Sequence, residues 1–69
     1  MCIATIYSDD GAHREEVMRD VVWIEAEGNG FLCISLLGER KFLEGKLKNI
    51  DFLQEHAVVL EKEGRKESS

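Results

Sequence analysis

Four side chains in this sequence are suited to chemistry by type: Cys2, His13, Cys33 and His56. Cys2 has the most unusual placement, because a thiol at position two sits beside the chain's α-amine. With Met1 removed, the amine and thiolate of Cys2 would close a five-membered chelate ring. With Met1 retained, its amine, the Cys2 amide nitrogen and the Cys2 thiolate would close two fused rings. Either set places nitrogen and sulfur donors in one plane. Planar sets suit Ni(II) or Cu(II), whereas a tetrahedral N/S set would suit Zn(II). One chain offers two or three donors, and a two-fold dimer that joined both N-termini would complete four. The alternative is that Cys2 is a small buried hydrophobe at the start of a strand.

The other three residues carry weaker signals. Cys33 lies within Phe31-Leu32-Cys33-Ile34-Ser35-Leu36-Leu37. Apolar neighbours raise a thiol pKa and make it inert, so Cys33 is expected in the core. It could join Cys2 on a metal only if the two strands were adjacent and both side chains faced the same way. His13 sits near Asp9 and Asp10, in a turn that could be a weak cation site or simply solvated. His56 opens a strand. Neither histidine shows a metal-motif spacing. Arg40, Lys41, Lys46 and Lys48 surround Phe42 in the only basic concentration, a pattern that can bind RNA on a small barrel. Glu39, Glu44 and Asp51 interrupt it, so a mixed-charge solvated face is the competing reading. No nucleophile lies beside a histidine, and there is no Gly-rich phosphate loop, so the chain is read as a non-enzyme.

The elements available to carry these residues are short. Sixty-nine residues make one domain, and a 43% hydrophobic content is globular. Nine Lys and Arg against fourteen Asp and Glu give a charge of −5, which disfavours nucleic acid and anionic membranes. No apolar run approaches a membrane span, and no secretory signal opens the chain. The expected location is the cytoplasm, with both thiols reduced. Pro is absent, and Gly11, Gly28, Gly30, Gly38 and Gly45 divide the chain into strand-length pieces. Strands are expected over residues 1–8, 17–26, 31–37, 40–46, 48–53 and 56–62. Val17, Val21 and Ile24 also fit a helix, so residues 17–26 are read as strand or helix. Asn29-Gly30 is expected to turn the hairpin, with 31–37 as the central strand. The sum is an all-β, SH3-like barrel of five to six short antiparallel strands over 1–62. Residues 63–69 are expected to form a charged flexible tail. So small a core gains from a second subunit.

The whole pattern resembles the CooT family, small proteins named for the accessory factor of nickel carbon monoxide dehydrogenase. The resemblance spans about residues 1–61. It rests on Met1-Cys2-Ile3-Ala4, Tyr7, Val21, Ile24-Glu25, Leu37-Gly38-Glu39, Lys41, Leu43-Glu44-Gly45, Ile50-Asp51-Phe52 and Val58-Val59-Leu60. It implies an SH3-like homodimer that binds Ni(II) between subunits through Cys2 and nearby backbone nitrogen, Met1 being the adjacent donor. The implied role is a nickel metallochaperone with a nickel-enzyme client. A small adaptor that binds RNA or protein without metal is the competing function.

Overall fold

The computed structural model describes residues 3–62. The expectations for Met1, Cys2 and the tail at 63–69 lie outside those residues. Six strands form one sheet: β1 (Ala4–Asp9), β2 (Arg14–Glu27), β3 (Gly30–Ser35), β4 (Arg40–Glu44), β5 (Lys46–Asp51) and β6 (Ala57–Glu61). Their order is β4-β3-β2-β1-β6-β5. Residues 17–26 are therefore strand, resolved by the β-branched run Val21-Val22 and the aromatic Trp23, which fit a pleated surface better than a helix.

Two expectations need correction. The sheet is mixed, not antiparallel throughout, because β1 and β6 run parallel, with Thr5 opposite Ala57 and Tyr7 opposite Val59. It is also not closed into a barrel: β4 and β5 are the two ends of the order, and no ladder joins them among the described residues. Only Gly45 separates those ends along the chain, so the sheet must coil until its edges nearly meet. Gly45 has φ +138°, and a Cβ there would stand 2.7 Å from the Glu61 carbonyl oxygen. Its N–H donates to the Asn29 carbonyl at 3.1 Å. One glycine thus touches both the β2–β3 turn and the end of β6.

The core fills the concave side of this coil. Ala4, Ile6, Met18, Val21, Cys33, Val58 and Leu60 form it, with Val17, Phe31 and Leu43 packed against them. Four consecutive residues of β6, Ala57 to Leu60, are buried. A strand covered on both faces needs no apolar–polar alternation, which explains the unbroken apolar run. The expected central strand, 31–37, is instead second from an edge and ends at Ser35. Leu36 and Leu37 leave it for a turn in which Leu37 is almost fully exposed. Gly38, at φ +94°, allows that turn, and the Glu39 N–H donates to Ser35 Oγ at 3.0 Å.

The β2–β3 turn also differs in detail. Glu27 pairs with Gly30, so Gly28 and Asn29 are the two central residues, and positive φ falls on Gly28 at +58° rather than on Asn29. That is the pattern of a type II′ hairpin, which takes glycine first. Gly30 is required for another reason. A Cβ there would lie 2.3 Å from the Leu43 carbonyl oxygen and 2.8 Å from the Phe42 ring.

These two glycines predict different penalties. Gly30→Ala forces β4 away from β3 and is expected to cost about 3 kcal/mol, the upper range for overpacking. Gly28→Ala meets nothing within 4 Å, so it costs only about 1 kcal/mol of left-handed strain. Urea midpoints of the two variants check the ranking.

Candidate functional site

Met1 and Cys2, the donors read from the sequence, precede β1 in the chain and lie outside the described residues. Ala4 pairs with Val21 of β2, and Thr5 pairs with Ala57 of β6. The Thr5 N–H also donates to the His56 carbonyl at 3.0 Å. The backbone entering β1 is therefore held from both sides. Beside it stands the β5–β6 turn, residues 52–56.

That turn is shaped by Asp51. One carboxylate oxygen, Oδ1, accepts the Leu53 N–H at 2.8 Å and the Gln54 N–H at 3.0 Å. Those bonds hold the Asp51 carboxyl below the ordinary carboxylate range, the Gln54 amide contributing most. His56 closes the turn at φ +53°, and its ring meets Phe52 edge-on, 6.0 Å between centroids. The outcome is an exposed apolar knob, Phe52 at 43% and Leu53 at 90% exposure, on the turn beside the start of β1. In the Ile50-Asp51-Phe52 stretch, the aspartate therefore builds the turn that presents the aromatic ring.

The other sequence candidates are resolved individually. Cys33 is fully buried in the core, and burial pushes its thiol pKa up. Its sulfur lies 3.9 Å from the Phe31 carbonyl oxygen. Its strand is separated from β1 by β2, and Cys2 lies outside the described residues.

Asp9, Asp10 and His13 do share a turn, but the carboxylates are occupied by the protein itself. Asp9 accepts the Gly11 N–H through Oδ1 and pairs through Oδ2 with Lys48 Nζ at 2.9 Å. Asp10 Oδ1 accepts the N–H groups of Ala12 and His13 at 2.9 and 2.8 Å. Both carboxyls are held low, Asp9 chiefly by Lys48 and Asp10 chiefly by the His13 amide. This is a solvated turn with its own donors.

The basic residues are divided between two strands. Arg40 and Lys41 lie on β4 and Lys46 and Lys48 on β5, the two ends of the strand order. Lys41 Nζ donates to the Val17 carbonyl at 3.2 Å, and Lys48 is held by Asp9. Among the described residues no group of three His, Cys, Asp or Glu side chains could hold a metal ion. A polar cleft of about 430 Å³ between β2 and the β3–β4 turn contains Glu16, Arg19, Ser35 and Glu39. There Arg19 grips Glu16 at 2.8 and 3.1 Å, and Ser35 Oγ accepts the Glu39 N–H. These polar groups satisfy one another. Sequence reasoning missed the knob at Phe52 and Leu53, because a period-two apolar pattern reads as strand. The signal available was Asp51, whose type favours an Asx turn over a strand interior.

The described residues form a small all-β coil without a helix. No helix among the described residues is long and apolar enough to cross a membrane. The chain belongs to the CooT family, described as CO dehydrogenase accessory protein, whose profile matches residues 1–61. An uncharacterised protein of Methanothermobacter thermautotrophicus is 35% identical over 63 residues, 91% of this chain and 92% of the relative. Another, of Methanocaldococcus jannaschii, is 34% identical over 61 residues, 88% of this chain and 98% of the relative. The crystal structure of a protein assigned to CooT from Carboxydothermus hydrogenoformans superposes with a TM-score of 0.82 at 26% identity. It covers 90% of this chain and 98% of that one. An accessory protein of this family is not itself a catalyst, in keeping with the non-enzyme reading.

The Asp51 turn gives a signed pH prediction. Its folded pKa is lowered, so the stability it contributes is present above the unfolded carboxylate pKa and is lost as pH falls through the folded value. Asp51→Asn retains an acceptor oxygen without the titration. Wild type should lose more stability than Asp51→Asn between neutral pH and about pH 3; equal losses in urea melts would remove Asp51 from this role. Burial likewise predicts that a thiol reagent modifies Cys33 in the native protein only as fast as the fold opens.

Proposed function

We propose that this protein holds Ni(II) as cargo at a homodimer interface, through the Cys2 thiolates of two subunits, and hands it to a nickel enzyme. The observation that carries the reading is membership in a CO dehydrogenase accessory family over residues 1–61, a span that includes Met1 and Cys2. The fold supports it in two ways. The first strand is clamped between β2 and β6, which fixes the backbone at Ala4 and Thr5. The exposed Phe52 and Leu53 beside that point give a second subunit apolar surface to cover.

The chemistry follows from the donor types. Two thiolates with amide or amine nitrogen, from Cys2 and Met1, form the planar set that Ni(II) favours. Cu(II) would bind the bare set more tightly by the usual divalent order, so nickel preference would come from geometry and supply. Thiol and nitrogen donors must lose protons to bind, so affinity falls as pH drops. Few donors in an open site suit transfer, because a client's ligands can displace them one at a time. The protein's location would be the cytoplasm, where the thiols stay reduced.

Titration of metal-free, untagged protein with Ni(II), followed by sulfur-to-nickel charge-transfer absorption, tests the reading. One nickel per dimer is expected, with the band lost in Cys2→Ser and kept in Cys33→Ser. A permanent N-terminal extension should weaken binding where the free amine is a donor. Unchanged one-per-dimer binding in Cys2→Ser refutes the assignment.

A further inference from the structure

Asn29-Gly30, at the tip of the β2–β3 hairpin, is the only Asn-Gly pair in the chain. Such a pair is chemically labile. Glycine has no side chain to obstruct attack by its amide nitrogen on the side-chain carbonyl before it. The other asparagine, Asn49, precedes Ile50, whose β-branched side chain crowds that approach. Removing Gly30 is costly, because a Cβ there would collide with the Leu43 carbonyl oxygen. Packing therefore keeps a reactive pair in the turn. The one Asp-Gly pair, Asp10-Gly11, is protected differently. Asp10 Oδ1 accepts the His13 and Ala12 N–H groups, which hold the carboxyl ionised, and a carboxylate is a poor electrophile.

The contacts of Asn29 bear on the reaction and on its product. Asn29 is exposed, and its Nδ2 donates to Glu44 Oε2. Glu44 stands opposite Gly30 on β4. A carboxylate that accepts from the amide holds the side chain in place and leaves Cγ less electrophilic. Nδ2 is also the group that must leave, so the bond to Glu44 is lost in the reaction. The Asn29 carbonyl meanwhile accepts the Gly45 N–H at 3.1 Å. An aspartate at this position would set a second carboxylate against Glu44. An isoaspartyl linkage would add a backbone atom to a turn with just two residues between the paired Glu27 and Gly30, and would shift the carbonyl that Gly45 uses.

We infer that Asn29 is a site of spontaneous deamidation, that Glu44 restrains the reaction, and that the products loosen the corner at Gly45. The Gly30 nitrogen gives up its proton to base and bonds to Asn29 Cγ. The Cγ–Nδ2 bond breaks, and ammonia leaves with a proton from solvent. Water then opens the succinimide at either carbonyl, giving aspartate or isoaspartate. None of this requires Cys2 or nickel. The test incubates native, untagged, full-length protein in mildly alkaline buffer and follows each site by peptide mass spectrometry and by enzymatic methylation of isoaspartate. Asn29 should react first, ahead of Asn49 and Asp10. Glu44→Ala should react about fivefold faster, the factor that loss of one exposed hydrogen bond to a charged group allows. Glu44→Gln, which keeps an acceptor oxygen, should stay nearer wild type, and all three should react alike when unfolded in urea. In Asn29→Asp, the direct product, the Gly45 amide should exchange hydrogen several-fold faster while the Ile6 amide does not. Equal native rates in wild type and Glu44→Ala, earlier reaction at another site, or unchanged Gly45 exchange in Asn29→Asp would overturn the inference.

Discussion

The pairing of the first strand with the last is what holds the remainder of this molecule in place. β1 lies between β2 and β6, and its parallel ladder with β6 joins residues about fifty positions apart in sequence. That contact can form only when the intervening chain has coiled through β2, β3, β4 and β5. Gly45 makes the coil possible, since it is the single residue between strands at opposite ends of the sheet. A larger residue there would meet the Glu61 carbonyl at the end of β6. The corner and the first–last pairing are therefore one device: β6 can reach β1 because β4 and β5 turn against each other at Gly45.

This device also sets where chemistry can occur. It buries Cys33 in the core. Cys33 points into the core, where desolvation keeps the thiol protonated. Cys2 precedes a strand whose first residues are held by Val21, His56 and Ala57. Beside the start of that strand the surface is apolar because Asp51 ties down the turn that displays Phe52 and Leu53. Elsewhere Asp9 pairs with Lys48 and Glu16 with Arg19.

Much of this architecture was legible in the residues. Gly-punctuated apolar pieces gave six strands in nearly the right places, and the apolar context of Cys33 predicted its burial. The open, mixed sheet was not legible, because strand pairing depends on long-range contacts that local patterning does not encode. Period two cannot distinguish β5 continuing through Phe52 from β5 ending at Asp51; side-chain capping of the Leu53 and Gln54 amides decides it. Nor could it show that Leu36 and Leu37 leave β3, since apolar residues in a turn read as more strand. The exposure of Val22, Trp23 and Ile24 was equally hidden, because a β-branched and aromatic run shows a strand without showing which of its side chains are covered. The candidate metal donors were legible from the chain start alone, and Cys2 and Met1 lie outside the residues the structure describes.

The proposed function stands or falls on two thiolates, from two chain starts, sharing a single nickel ion. X-ray absorption at the nickel edge of the loaded, untagged protein reads that arrangement without an intermediary. Two sulfur neighbours per nickel, completed by nitrogen, are expected. A coordination shell made only of oxygen and imidazole nitrogen would contradict it.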